Sequence, residues 1–231
     1  MRVLAVGAHP DDIELGCAGA LLRHTAVGDD VTMLVMTMGE RGPQGSASRI
    51  AEQEAASRVL GARLVWGHFS DGAVPFGREA VSIVDAAVRE YKPDVIYVHA
   101  PADTHQDHVA TSQAATAAGR RTSRILYYQS PSTTSFDPTV FIDVATTLTG
   151  KLESLRAHWS QVVNCDLVDL ESVAAGCRYW GGRARVAYAE PFETSRFVWD
   201  IVSTASDAFV PASRRQARPA EEMTTAAPWT S

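Results

Sequence analysis

RVLAVGAHPDDIELGCAGALLRHTAVG, residues 2–28, carries the reading of the fold. Arg2 to Gly7 form a short, continuous apolar run of the kind that a strand buried on both faces requires. A polar break, AHPDD, follows; apolar residues then recur near helical spacing up to Gly28, a residue suited to a helix C-cap. The same unit returns along the chain. DVTMLVMTMG (30–39), ARLVWGHF (62–69), DVIYVHA (94–100) and RILYYQS (124–130) read as strands, separated by the helical patterns SRIAEQEAASRVLG, REAVSIVDAAVREY and HQDHVATSQAATAAG. Repeated βα units joined by right-handed crossovers predict an α/β fold with a Rossmann-like, doubly wound, mainly parallel sheet.

After about Ser130 the rhythm changes. FIDVA, a helix over roughly 146–159, a second helix near 170–181 and the strand-like ARVAYAEPFE predict a small C-terminal α+β part. Residues 1–203 are therefore expected to form a single domain, with 1–130 as its Rossmann-like part and 131–203 as the smaller part. The stretch 204–231, rich in Ala, Ser, Thr, Pro and Arg without apolar periodicity, reads as an irregular or disordered tail.

Composition narrows the function classes. The net charge of -6 comes from 27 acidic and 21 basic residues without blocks of one sign, so no nucleic-acid partner and no anionic membrane surface is expected. Only Lys92 and Lys151 among the basic residues are lysines, and neither sits in a setting that suggests a Schiff base. Cys17, Cys165 and Cys177 are odd in number and widely spaced, which fits free thiols in a reducing compartment. No secretory leader pattern and no apolar run of the ~20 residues a membrane span needs is present, so a cytoplasmic location is expected. GERGPQG contains neither G-x-G-x-x-G nor a P-loop GK[ST], which disfavours a dinucleotide or nucleotide site.

In open doubly wound sheets, ligands bind beyond the carboxyl ends of the strands. The segments there are AHPDDIE, GERGPQGS, SDGAVPFG and PADTHQDH, the most polar of the chain. His9, Asp11 and Asp12 follow the first strand; His105, Asp107 and His108 follow the fourth. Two imidazoles and a carboxylate make the ligand set of a catalytic zinc site with one open position. His9 and Asp12, like His105 and His108, are three positions apart and can face the same way on a helical turn. Neighbouring acids cannot easily reach one ion, so one can bind metal while the other takes a proton from an acidified water. The alternatives are structural: Asp11 as a helix N-cap, and Asp107 as a favourable first-turn charge.

The ordered motifs HPDD (9–12), GERG (39–42), the R..EQEAA..LG pattern, SDG, HQDH (105–108) and YAEPF (188–192) resemble the PIG-L or LmbE-like zinc de-N-acetylases over most of residues 1–195. The resemblance implies an LmbE-like fold and zinc held by His9, Asp12 and His108, with ferrous or another divalent ion also compatible with that set. It further implies Asp11 as general base, a protonated His105 facing the tetrahedral oxyanion, and Asp107 orienting a histidine. Arg49 and Asp71 would contact substrate from loops. His68 and His99 are read as strand-end residues near the site; His24 and His158 as solvated or partly packed helix residues. The function implied is removal of an acetyl or other N-acyl group from a small-molecule GlcNAc-type glycoside, in thiol-cofactor or secondary-metabolite biosynthesis. Two alternatives are an amidase for a thiol conjugate or non-sugar amide, and a non-catalytic ligand-binding member of the fold. Relatives of this kind include oligomers, so a homo-oligomer is compatible with the resemblance.

Overall fold

A computed structural model describes residues 1–42, 45–162 and 168–199. The expected tail at 204–231 and Cys165 lie outside the described residues. Seven strands form one sheet in the order β3-β2-β1-β4-β5-β7-β6. β1 (Arg2–Gly7), β2 (Asp30–Thr37), β3 (Arg63–Phe69), β4 (Val95–His99) and β5 (Arg124–Tyr128) are mutually parallel. β7 (Ala189–Phe197) runs antiparallel to both β5 and β6 (Val140–Asp143). The expected C-terminal part thus extends the same sheet rather than building a second one, and Met1–Val198 pack as one unit.

Alternation along the strands sends side chains to two cores, one on each face. Val3, Ala5, Met33, Val35 and Tyr97 face α1 (Asp12–Ala26) and α2 (Gly45–Leu60), meeting Ile13, Cys17, Leu21 and Leu60. Leu4, Val6, Leu34, Met36, Ile96 and Val98 face α3 (Arg78–Tyr91) and α4 (Gln106–Ala118), meeting Val84, Ala110 and Ala114. Burial on both faces is why these strands read as continuous apolar runs. The expected helix at 146–159 is α5 (Leu148–Arg156), followed by the single turn α6 (Trp159–Val162), and α7 (Leu170–Ala184) replaces the expected 170–181. Among the described residues, no helix is long and apolar enough to cross a membrane.

The first strand sits between β2 and β4, so the chain leaves β1 toward one side and β4 toward the other. Such a switch point opens a crevice at the carboxyl ends of the two strands. HPDD and HQDH are the segments that emerge there.

Candidate active site

His9 and Asp12 come together because the β1 to α1 turn is very tight. Asp12 opens α1, and its Oδ2 accepts the His9 backbone N–H at 2.7 Å while lying 3.3 Å from His9 Nδ1. Asp12 Oδ1 is 3.4 Å from His108 Nε2, so one carboxylate bridges the two loops. His108 is stacked between His99, at 4.0 Å between ring centroids, and His105, at 4.5 Å. His9, His105 and His108 offer ring nitrogens within 4.8 Å of one another, as do ligand atoms of Asp12, His99 and His108, and of His9, Asp71 and Asp107.

Asp11 occupies the N-cap backbone position of α1 but makes no side-chain capping bond, so its carboxylate is not consumed by the helix. Its backbone lies in the left-handed region, φ 93°, a conformation that costs a non-glycine residue of order 1–3 kcal/mol and persists only where surroundings enforce it. Gln53 Oε1 accepts the Asp11 N–H at 3.3 Å, and the Arg49 guanidinium donates to the Pro10 carbonyl at 2.5 Å and lies 3.5 Å from Asp11 Oδ2. Burial pushes the Asp11 carboxyl up to about 6, with Arg49 opposing the shift.

The fourth-strand loop is equally constrained. His105 is the N-cap of α4, and its Nδ1 accepts the Asp107 backbone N–H at 3.2 Å, which leaves the ring proton of the neutral form on Nε2. Burial, followed by the charges of His9 and His108, lowers His105 below the usual imidazole range. The fully buried Asp107 accepts the Gly72 and Val74 N–H groups at 2.7 and 3.1 Å and lies 3.1 Å from His9 Nε2. Asp71 reaches the same nitrogen at 3.3 Å and accepts the Arg41 N–H at 3.1 Å. Burial opposes a charge on His9, but hydrogen bonds to Asp107, Asp12 and Asp71 overcome it and push the imidazole up to about 12.

All eight residues singled out in the sequence therefore lie in or against one crevice. Its cavity of about 330 Å³ is lined by His9, Asp11, Asp12, Arg49, Asp71, His105 and His108, with Asp107 directly behind His9. Two details differ from expectation. Arg49 lies within α2 rather than in a loop, and it is only 4% exposed because the helix turns it against Pro10 and Asp11. His158 is fully buried, 3.5 Å from Glu14 Oε1, rather than solvated or partly packed.

His99, expected near the site, is part of it, and three residues escaped the sequence reading: Asp103, Gln53 and Glu14. His99 lies 3.1 Å from Asp12 Oδ2 and stacks on His108; Asp103 Oδ2 lies 3.2 Å from His108 Nδ1 and is held down at about 2, burial being outweighed by the Ser130 and Ser132 hydroxyls. Gln53 Nε2 donates to Glu14 Oε1 at 2.7 Å, forming a buried polar pair beneath Asp11. Asp103 had a signal, its place in the PADTHQDH loop. Gln53 and Glu14 sit inside helical patterns where polar residues read as solvated.

The donor chemistry fits a divalent cation. Asp12, Asp71 and Asp107 crowd His9 in a buried setting, where the histidines and Arg49 offset part of their charge. Imidazole and carboxylate at such spacing are ligands that zinc and related ions accept. The profile of PIG-L, GlcNAc-PI de-N-acetylase, matches residues 4–119, a span that includes both motifs. The chain belongs to the PIG-L family. This PIG-L protein is 38% identical over 167 residues to YaiS, an uncharacterized deacetylase of Escherichia coli K12, a match covering 68% of the chain and 90% of that protein. It is 26% identical over 186 residues to the diacetylchitobiose deacetylase of Thermococcus kodakarensis, covering 69% and 70% respectively. The conserved protein TT1542 of Thermus thermophilus superposes on 87% of this PIG-L chain and 97% of its own, with a TM-score of 0.79 and 31% identity.

Proposed function

We propose that the protein is a metal-dependent amide hydrolase that removes an N-acetyl or related N-acyl group from a small GlcNAc-type glycoside. The observation that carries this reading is the meeting of the HPDD and HQDH side chains in one crevice, beside an Asp11 carboxylate that its helix leaves uncapped. The deacetylase relatives support the reaction class, and the diacetylchitobiose deacetylase supports an amino sugar.

His9, Asp12 and His108 would hold the ion, with zinc the first candidate and ferrous iron compatible with the same donors. When bound, the cation supplies Lewis acidity toward the amide carbonyl and acidifies a water. Asp11, in the same cavity, accepts the proton of the attacking water and returns it to the departing amine as the C–N bond breaks. His105 donates its Nε2–H to the oxygen that becomes negative, and the ring needs no second proton to do so, because Nδ1 is occupied by the Asp107 N–H. Asp107 and Asp103 orient His9 and His108 respectively. Arg49 steadies Asp11 and, with Asp71, faces the substrate's polar groups from the cavity wall. A cytoplasmic enzyme acting on a free small molecule, without nucleic acid or membrane, is the accompanying proposal, and a homo-oligomer is compatible with it.

The test is incubation of zinc-loaded protein with a panel of N-acetylglucosaminides, read as acetate and free amine. Wild type is expected to release both in equal amounts. Asp11→Asn is expected to retain its metal by elemental analysis while kcat falls by about 10²–10⁴, the usual worth of a general base. Unchanged turnover in that variant removes the base assignment, and failure on every sugar with cleavage of a non-sugar amide redirects the substrate class.

A further inference from the structure

A second cavity, of about 260 Å³, adjoins the catalytic crevice and shares Leu15 and Pro131 with it. It opens at the same edge of the sheet, where the end of β5 meets the start of β7 through the pairing of Tyr128 with Phe192. We propose that this cavity is a second substrate subsite that takes an uncharged, ring-sized group with an apolar face, carried by the amino sugar as its aglycone. The inference rests on the function proposed above and extends it to substrate class.

Size and chemistry define the occupant. A cavity of ~150 Å³ suffices for a benzene-sized guest, so this one accommodates a substituted ring. Leu15, Pro131, Val173, Pro191 and Trp180 supply apolar wall. The two charged groups that line it, Lys151 and Glu190, are already committed. Lys151 Nζ donates to the carbonyls of Glu14 and Leu15 at 3.0 and 2.6 Å and to Glu190 Oε1 at 2.6 Å. Glu190 in turn accepts the Gly19 and Ala20 N–H groups at 2.9 and 2.7 Å. Among the described lining residues a charged ligand would meet no free countercharge and would lose its hydration, so a neutral group is selected. Gln129, exposed among the lining residues, offers a polar edge for a ring hydroxyl or ether.

Gly176 of α7 lines the cavity, and a Cβ built on it meets no atom within 4 Å. Gly176→Leu therefore starts its side chain in open space at the cavity wall, and leucine favours helix more than glycine does. The experiment compares kcat/KM for the methyl, phenyl and 4-carboxyphenyl glycosides of N-acetylglucosamine. Wild type is expected to prefer phenyl over methyl by about tenfold or more, the scale that burial of one aromatic ring supplies. The carboxylated ring is expected to lose that preference. Gly176→Leu is expected to collapse the phenyl-to-methyl ratio toward unity, while Gly176→Ala, one carbon larger, keeps it. A wild-type ratio near unity, a ratio that survives Gly176→Leu, or a carboxyphenyl preference overturns the subsite. If no glycoside is hydrolysed, the proposed function fails separately; calorimetric binding of the phenyl glycoside to the same proteins then reads the cavity. Weaker binding to Gly176→Leu upholds it, and equal binding overturns it.

Discussion

Asp11 and Asp12 are chemically identical neighbours that the backbone separates into different environments. Asp12, in the first turn of α1, faces His9, His99 and His108, and these outweigh burial to hold its carboxyl far below the ordinary range. Asp11, in the left-handed region, faces Arg49 and the cavity, and burial holds its carboxyl up. Two adjacent acids can therefore divide metal binding from proton transfer. The conformation that separates them is held partly by Gln53, whose amide joins the Asp11 N–H to Glu14. Gln53→Leu removes both bonds and leaves a buried donor and a buried carboxylate unsatisfied, at a cost of about 1–3 kcal/mol or more. If that loss falls on the Asp11 conformation, kcat drops about fivefold or more, since ~1.4 kcal/mol corresponds to tenfold in rate. Metal content should stay near wild type. A variant with normal kcat and only a lower denaturation midpoint would assign Gln53 a purely structural role.

Helix α1 is where the site meets the core, and close contacts set its position. An added Cβ at Gly16 would come within 2.2 Å of the Tyr128 ring, whose hydroxyl donates to the Val6 carbonyl at 2.8 Å and whose ring packs 4.8 Å from His99. The absence of a side chain at Gly16 thus lets α1 approach β5 near the end of the sheet that carries the site. Gly16→Ala should destabilise the protein by about 1–3 kcal/mol through overpacking, despite alanine's better helix propensity. Urea unfolding reads this directly, and a midpoint at or above wild type would mean that Tyr128 moves aside freely. Two other elements also grip the helix: α5 through Lys151, and β7 through Glu190, which bond respectively to carbonyls and N–H groups of α1.

Across the molecule, this Lys151–Glu190 pair ties the C-terminal part to α1 of the Rossmann-like part. Both side chains are almost completely inaccessible, and burial of an ion pair is weak grounds for net stability but strong grounds for intolerance of losing one partner. Lys151→Met should cost about 3–5 kcal/mol by leaving Glu190 buried without its counterion. Lys151→Met combined with Glu190→Leu should recover part of that loss, because Gly19 and Ala20 lie within α1 and can bond inside the helix. A double variant as unstable as the sum of the single ones would show that the pair's value lies in its separate bonds to α1, not in the ions' mutual need. Removal of a bound divalent ion should lower Tm, since a ligand that binds only the folded state stabilises it by mass action.

The order of elements and the parallel sheet were legible in the amino-acid sequence, because doubly covered strands must be apolar throughout and the turns between them must be polar. HPDD and HQDH were legible for a related reason: short tight loops force their chemistry into a few consecutive positions. Tertiary structure decided what depends on approach between distant segments. It set Arg49 on a buried helix face, drew His99, Asp103 and Gln53 into the site, and buried His158 against Glu14. It also joined β6 and β7 to the same sheet and formed the cavity beside Trp180. A local pattern can announce that a residue is polar and lies on a helix. Which polar residues are buried, and against whom, is a property of packing between elements that periodicity within one element does not encode.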